Sequence, residues 1–284
     1  MTFGGERKPR GNRTASRRRV GRRRLGFLLI LLIFVLILLA LGALFLRGYF
    51  GGTVSGTRTI EDSIDSGQEP RIRLINGRGE VSIEGVDGLS SVEFEATKYA
   101  LGPDEEAARR NASEIPTDFS REESEVEIKT GGARDTGADY SLKVPKGSSL
   151  EVENGAGDVR ITGVEGDVAV RSESGDMTVA NSGGSVTVEA AAGDVSLSGL
   201  RTDTGQVDLA VGAGDLTLED LVLGNIEARV ESGDVTLSGR FSGGGRISVE
   251  TGDVTSRLPQ DDTRELTLEA RVGKVLREDP VEEE

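Results

Sequence analysis

Cysteine, histidine and tryptophan are absent from this chain of 284 residues, and three Tyr and eight Phe are its only aromatic residues. The absences remove disulfide staples, thiol nucleophiles, His-dependent triads, and zinc sites built on His or Cys. Lack of cysteine leaves the redox compartment open, because an extracellular protein can do without thiols. Between residues 151 and 260 the one aromatic is Phe241, so the platforms on which enzymes stack sugar rings are missing there. There is also no P-loop and no dinucleotide fingerprint. The Gly-rich pieces GAGD (212–215) and GGGR (243–246) read as turns rather than strand-to-helix junctions.

Long apolar runs are absent too, with one exception. Residues 25–46, LGFLLILLIFVLILLALGALFL, contain no charge. A helix of that length, at about 1.5 Å per residue, crosses a hydrocarbon core of ~30 Å. The net charge of −15 is divided unevenly around it: residues 1–24 carry ten Lys or Arg against Glu6, and the part after Arg47 carries −25. Because basic residues are retained on the cytoplasmic side, the reading is a transmembrane helix with its N-terminus inside and the C-terminal part outside. A cleaved signal peptide is the rival, with Ala40-Leu41-Gly42 as the small residues, but signal cores run shorter than this one. The basic tail fixes topology and rests on anionic lipid, at about 1 kcal/mol per basic residue near the surface. Nucleic acid is not an expected partner, since the acidic body repels phosphate.

Residues 47–70 are rich in Gly, Ser, Thr and acid without sustained periodicity, and predict a flexible stalk. Alternating apolar residues then predict strands from Arg71, in RIRLI, GEVSIEG and SVEFEATKYA. PDEEAARRNASE (103–114) predicts one short helix, and SEVEIKT and DYSLKVP return to strands. Residues 71–150 are therefore expected to be a β-rich N-terminal part of the outer region, followed by something different.

From Gly157 the chain repeats. Gly157, Gly175, Gly193, Gly214, Gly233 and Gly252 are separated by 18, 18, 21, 19 and 19 residues, and each is followed by an aspartate: Asp158, Asp176, Asp194, Asp215, Asp234 and Asp253. Between them a second set of turns is followed by the variable Asp167, Ser185, Gln206, Asn225 and Arg246. Apolar pairs two residues apart, such as Val159/Ile161 and Val235/Leu237, put both members on one face of a short strand. A fixed period near 20 is the mark of units that bury their apolar face only by stacking. The expected fold is all-β: a right-handed parallel β-solenoid over 151–277, with a short β-rich cap before it, one transmembrane helix before that, and an acidic tail at 278–284. Six levels at ~4.8 Å would stand roughly 29 Å tall. An antiparallel sandwich has similar turn spacing, but hairpins do not explain an aspartate at alternate turns.

The run DYSLKVPKGSSLEVENGAGDVRITGVEGDVAVRSESGDMTVANSGGSVTVEAAAGDVSL, with its Val144-Pro145-Lys146-Gly147 turn, resembles the bacterial domain-of-unknown-function family labelled "putative adhesin". The resemblance covers about residues 71–277. It implies a β-solenoid, often on a membrane anchor, and supplies no activity and no catalytic residues.

The Gly-Asp repeats raise two chemical possibilities. Calcium-binding β-rolls place the apolar residue two beyond the Asp, whereas here the apolar positions are one and three beyond it, so their inward ligation scheme fails. The alternative is a corner in which Gly supplies a positive φ and Asp accepts a nearby backbone N–H in an Asx-type turn. The six aspartates are thus the only metal candidates, for a weakly held cation, and the six glycines are structural turns. Equivalent turn carboxylates also make a poor acid–base pair, because that chemistry needs two unlike environments. The expectation is a non-enzymatic binding, adhesin-like or scaffolding module of the cell envelope, without a cofactor, whose envelope partner is unknown. An envelope-stress sensor signalling through the basic tail is the alternative, and a polysaccharide-active enzyme comes third.

Overall fold

The structure is a computed structural model and describes residues 53–131, 136–259 and 266–278. The expected basic tail and the helix at 25–46 lie outside these residues. Among the described residues no helix is long and apolar enough to cross a membrane.

Four strands, β1 (Val54–Asp65), β2 (Arg71–Asn76), β3 (Val81–Val86) and β4 (Ser91–Gly102), precede helix α1 (Glu105–Ser113). Next come β5 (Thr117–Glu122), β6 (Glu125–Thr130), β7 (Thr136–Pro145), β8 (Ser149–Ala156), β9 (Val159–Thr162), β10 (Val168–Ser174) and β11 (Met177–Ala180). The series continues with β12 (Val186–Ala192), β13 (Val195–Ser198), β14 (Arg201–Ala213), β15 (Leu216–Ser232) and β16 (Val235–Phe241). It ends with β17 (Gly245–Thr251), β18 (Val254–Arg257), β19 (Leu266–Val272) and β20 (Val275–Arg277).

From β8 onward every pairing is parallel, which decides for the solenoid over the sandwich, and the coil is of the right-handed type. One sheet stacks β8, β10, β12, the ends of β14 and β15, then β17 and β19. The other stacks β9, β11, β13, the start of β15, then β16, β18 and β20. The sequence dictates this arrangement directly. In the short strands up to β16 two apolar residues at i and i+2 point inward, in β18 Ser256 takes the second inward place, and strict register puts Val159 beside Met177, then Val195, Leu216, Val235 and Val254. All of these are buried, as are their partners Ile161, Val179, Leu197, Leu218 and Leu237. No unit could bury its pair alone; each covers the next.

The longest step in the Gly series, from Gly193 to Gly214, opens a third short side. There Arg201 and Thr202 of β14 pair with Val222 and Leu223 of β15, which pair in turn with Arg240 and Phe241 of β16. Leu200, Leu221 and Phe241 fill the space behind it.

Three expectations are corrected. Residues 71–150 are not a separate part preceding the repeats. β2 lies parallel between β6 and β8, and β3 between β7 and β9, so residues 71–86 are themselves a coil of the solenoid. The chain leaves that coil, builds the end of the stack, and returns through β6 and β7 as a further coil. The turn at Lys146 then passes the first coil's edge to reach β8, held by Lys146 N–H to the Val86 carbonyl (3.1 Å) and Ser149 N–H to the Pro70 carbonyl (2.9 Å).

The second correction concerns the stalk at 47–70. Its residues 54–65 form β1, twelve residues paired antiparallel with β4. Most of β1 is exposed, so backbone pairing along an edge, rather than an apolar face, makes it a strand. β4 is antiparallel to β7 and β5 to β6, closing this end of the stack against further parallel growth. Helix α1 forms where the sequence placed it. Asp104 caps it, its side chain accepting the Ala107 N–H at 2.7 Å, and Ala107, Ala108 and Ala112 are its buried face. The third correction concerns the aspartates and is described with the corner.

Candidate functional site

The recurrent corner is where the sequence concentrates its chemistry. Gly175 has φ +124°, and a Cβ there would lie 2.3 Å from the Gly157 carbonyl oxygen of the preceding coil. Gly233 has φ +145° and the same contact with Gly214 at 2.0 Å. Both the backbone conformation and the close approach of coils therefore require glycine.

The aspartate that follows does not close its own turn, as an Asx-type corner would. Its Oδ1 accepts the backbone N–H of the aspartate one coil further along: Asp176 N–H to Asp158, Asp194 to Asp176 and Asp215 to Asp194 at 2.9 Å, Asp234 to Asp215 and Asp253 to Asp234 at 2.8 Å. Lys274 N–H continues the series onto Asp253 at 2.8 Å. Each aspartate carbonyl meanwhile accepts from the coil before, as in Val159 N–H to Asp176 at 2.9 Å. The side chain thus supplies the acceptor at the point where the corner interrupts the main-chain ladder. Magnitudes favour the arrangement. Like charges ~4.8 Å apart repel by about 0.9 kcal/mol in water, while a hydrogen bond to a charged acceptor contributes roughly 1.5–3 kcal/mol.

The series begins earlier than the repeats seen in the sequence. Gly79 has φ +132°, and Glu80 N–H donates to Asp139 Oδ1 at 2.9 Å. In the variable set of turns the device occurs once, with Ser185 N–H on Asp167 Oδ1 at 2.9 Å. Among the described residues no three carboxylates converge in a way that could hold a metal ion.

The two sheets present different outer faces. On the first, charges satisfy one another across strands: Arg71 with Glu151 at 3.1 Å, Arg73 with Glu153 at 2.9 Å, Arg271 with Glu250 at 2.7 Å, and Arg171 with Glu189. The hydrogen bond to Glu153, followed by the nearby Glu151 charge, holds the Arg73 guanidinium above its usual pKa. On the second face Thr178, Ser196, Thr217, Thr236 and Thr255 stand side by side on adjacent strands. They are half-buried, and their hydroxyls make no hydrogen bond within the described residues. The Asp series precedes this row by two residues in sequence, at the corner before each strand, and its second carboxylate oxygens have no protein partner among the described residues.

Other polar groups were not anticipated. Asn76 and Asn154 are buried neighbours on β2 and β8, donating to the Ala138 carbonyl (2.9 Å) and the Gly79 and Gly157 carbonyls (3.1 and 2.8 Å). Lys98 is 5 % exposed, its ammonium on the Ile115 carbonyl at 2.9 Å. Burial, and then the Arg58 charge, lower its pKa from the usual lysine value. Tyr140, hydrogen-bonded to Thr130, is raised by its burial.

A family profile, Toastrack DUF4097, matches residues 121–278, more than half of the chain. The chain belongs to the Toastrack DUF4097 family. The match includes all six Gly-Asp corners of this Toastrack chain and begins after its 71–86 coil. A solved "putative adhesin" from Parabacteroides distasonis is 15% identical, covers 78% of this chain and 97% of its own, and has a TM-score of 0.48. One from Bacteroides fragilis is 13% identical with a TM-score of 0.42, covering 78% of this chain and 97% of its own. A "putative cell adhesion protein" from Clostridium sporogenes is 10% identical with a TM-score of 0.22, covering 80% and 99%. No curated protein matches the Toastrack chain.

Proposed function

We propose that this chain is a non-enzymatic binding or scaffolding module of the cell envelope, anchored by residues 25–46 with its solenoid outside the membrane. The observation that carries the reading is the corner series. Asp158, Asp176, Asp194, Asp215, Asp234 and Asp253, the most chemistry-like residues of the sequence, each spend an oxygen on holding the next coil. What the fold then offers a partner is regular surface, the usual asset of a solenoid. The ten basic residues before 25, against Arg47 alone directly after the span, support the orientation. The solved structures named for adhesion are compatible with it and add no residue roles.

The test is accessibility in intact cells. A protease added from outside should digest an epitope placed after residue 278 and spare one at the N-terminus, and cross-linking should capture an envelope component through the solenoid. A C-terminal epitope reached only after lysis would refute the orientation, and a solenoid that captures nothing would refute the binding role.

A further inference from the structure

The two ends of the stack are built differently. At one end antiparallel pairing takes over, β4 on β7 and β5 on β6. The edge strands there carry charges such as Glu61 and Asp62 on β1 and Asp118 and Arg121 on β5, a usual guard against pairing with another chain. At the other end β19 pairs with β17 and β20 with β18, and neither has a second strand partner among the described residues. The core is open there. Val275 is 38 % exposed, whereas Val254, Val235 and Leu216, at the same inward place in the three preceding coils, are at most 1 % exposed. Of the five large apolar side chains exposed among the described residues, Val272, Val275 and Leu276 lie in this last coil.

The Val272 carbonyl accepts the Gly252 N–H of the preceding coil at 2.9 Å. Main-chain groups alternate sides along a strand, so those of Thr267, Glu269 and Arg271 face the open edge. We infer that this edge pairs antiparallel with β19 of a second copy, in a two-fold register centred on Ala270. That register sets Glu269 against Arg271 of the second copy, and Arg271 against its Glu269, with Leu268 against Val272 on the inward side. A register centred one residue either way puts Glu269 on Glu269 or Arg271 on Arg271, which like charge disfavours. The outer face already alternates in this manner, Arg271 with Glu250 at 2.7 Å and Glu269 with Arg246 at 4.0 Å, and the pairing carries the alternation across the contact.

The occupant is a second copy in a closed dimer rather than a growing filament. Head-to-tail addition needs a free parallel edge at the other end, and the antiparallel strands there remove it, so an open end matches only another open end. Arg277 takes the second inward place of β20, where the two preceding coils have Ser256 and Leu237, so β19 rather than β20 carries the contact.

Self-association through the last coil goes beyond envelope binding and can fail without it. The test uses the full chain in detergent solution. The sequence has no cysteine, so one introduced thiol reports one position. Ala270 would face its own copy in a pair without main-chain hydrogen bonds, where Cα atoms are about 4.5 Å apart, a separation that a disulfide spans. Ala270→Cys should therefore give a disulfide-linked dimer under mild oxidation, and Thr187→Cys on β12 should stay monomeric. Adding either Glu269→Arg or Arg271→Glu to Ala270→Cys places like charges opposite each other twice, and should cut the linked fraction about tenfold. An equal mixture of these two variants should link again, because each then meets its complement, and recovery in the mixture shows that both fold. An Ala270→Cys chain that stays monomeric, equal linking of Thr187→Cys, or a mixture that links no better than either variant alone would each overturn the inference. So would linking that appears only after residues 279–284 are removed, which makes the acidic tail the occupant of the edge. A thiol at 270 that links in cells to a different protein and never to itself would overturn it as well.

Discussion

Asp234 Oδ1 accepts the backbone N–H of Asp253 at 2.8 Å, although the two residues stand 19 apart in sequence. The bond ties one coil to the next through a carboxylate rather than a carbonyl, and five further bonds of the same form run along that corner.

If the acceptor matters more than the charge, two substitutions at one position will separate. Asp215→Asn retains a carbonyl-type oxygen at Oδ1 for the Asp234 N–H and removes one of a row of like charges, so its cost should stay under about 1 kcal/mol. Asp215→Ala hands that N–H at the exposed corner over to water and should cost more than Asp215→Asn, roughly 0.5–1.5 kcal/mol. Solenoids open locally, so the measurement is amide hydrogen exchange of the peptide containing Asp234, supported by denaturant titration. Equal protection in the two variants would show that the hydrogen bond contributes nothing.

The glycine beside each aspartate is constrained in a second way. Gly175→Ala combines φ +124° with a Cβ 2.3 Å from the Gly157 oxygen, so a coil has to move. Where the conformation is compatible Gly→Ala stabilises by up to about 1 kcal/mol, and here the substitution should instead destabilise by more than that amount. Faster exchange should appear in 157–159 and 193–195, the coils on either side, with the α1 end unchanged. As a comparison, Gly77→Ala is at a position where an added Cβ meets nothing within 4 Å, and exchange there should hardly alter.

Much of this architecture was legible before the structure because a solenoid repeats its physics. Apolar pairs two apart recur with a Gly at every corner, and register needs no long-range guess when each strand's neighbour is the next repeat. The coil at 71–86 had a signal too: Asn76-Gly77-Arg78-Gly79-Glu80-Val81-Ser82-Ile83 parallels Asn154-Gly155-Ala156-Gly157-Asp158-Val159-Arg160-Ile161. It escapes a search for Gly-Asp because Glu80 stands where Asp158 does. Its place in the stack could not be read from chain order, since residues 87–148 detour between it and β8. β1 was not legible for another reason: an edge strand held by backbone pairing with β4 carries little side-chain periodicity. The partner of each aspartate was hidden likewise, because a local turn and a coil-to-coil bond use the same residue at the same spacing.

Lys98 gives a prediction about pH. Its ammonium is buried against the Ile115 carbonyl beneath α1, and burial, then Arg58, lower its pKa from the usual 10.5. Below the folded-state pKa both folded and unfolded chains hold the proton, and the cost of burying the charge is constant. As pH rises from there towards 10.5, the unfolded chain still binds a proton that the folded chain has shed, so stability rises with pH across that window. Tyr140 and Tyr99, raised by burial, act with the opposite sign above their usual value of 10.0, where the unfolded chain loses its proton first. Lys98→Met keeps the apolar stem and removes the titration. In denaturant titrations approaching pH 10, wild type should therefore gain stability relative to Lys98→Met. A constant difference between the two would show that Lys98 titrates alike in both states, and that its burial imposes no cost on the charge.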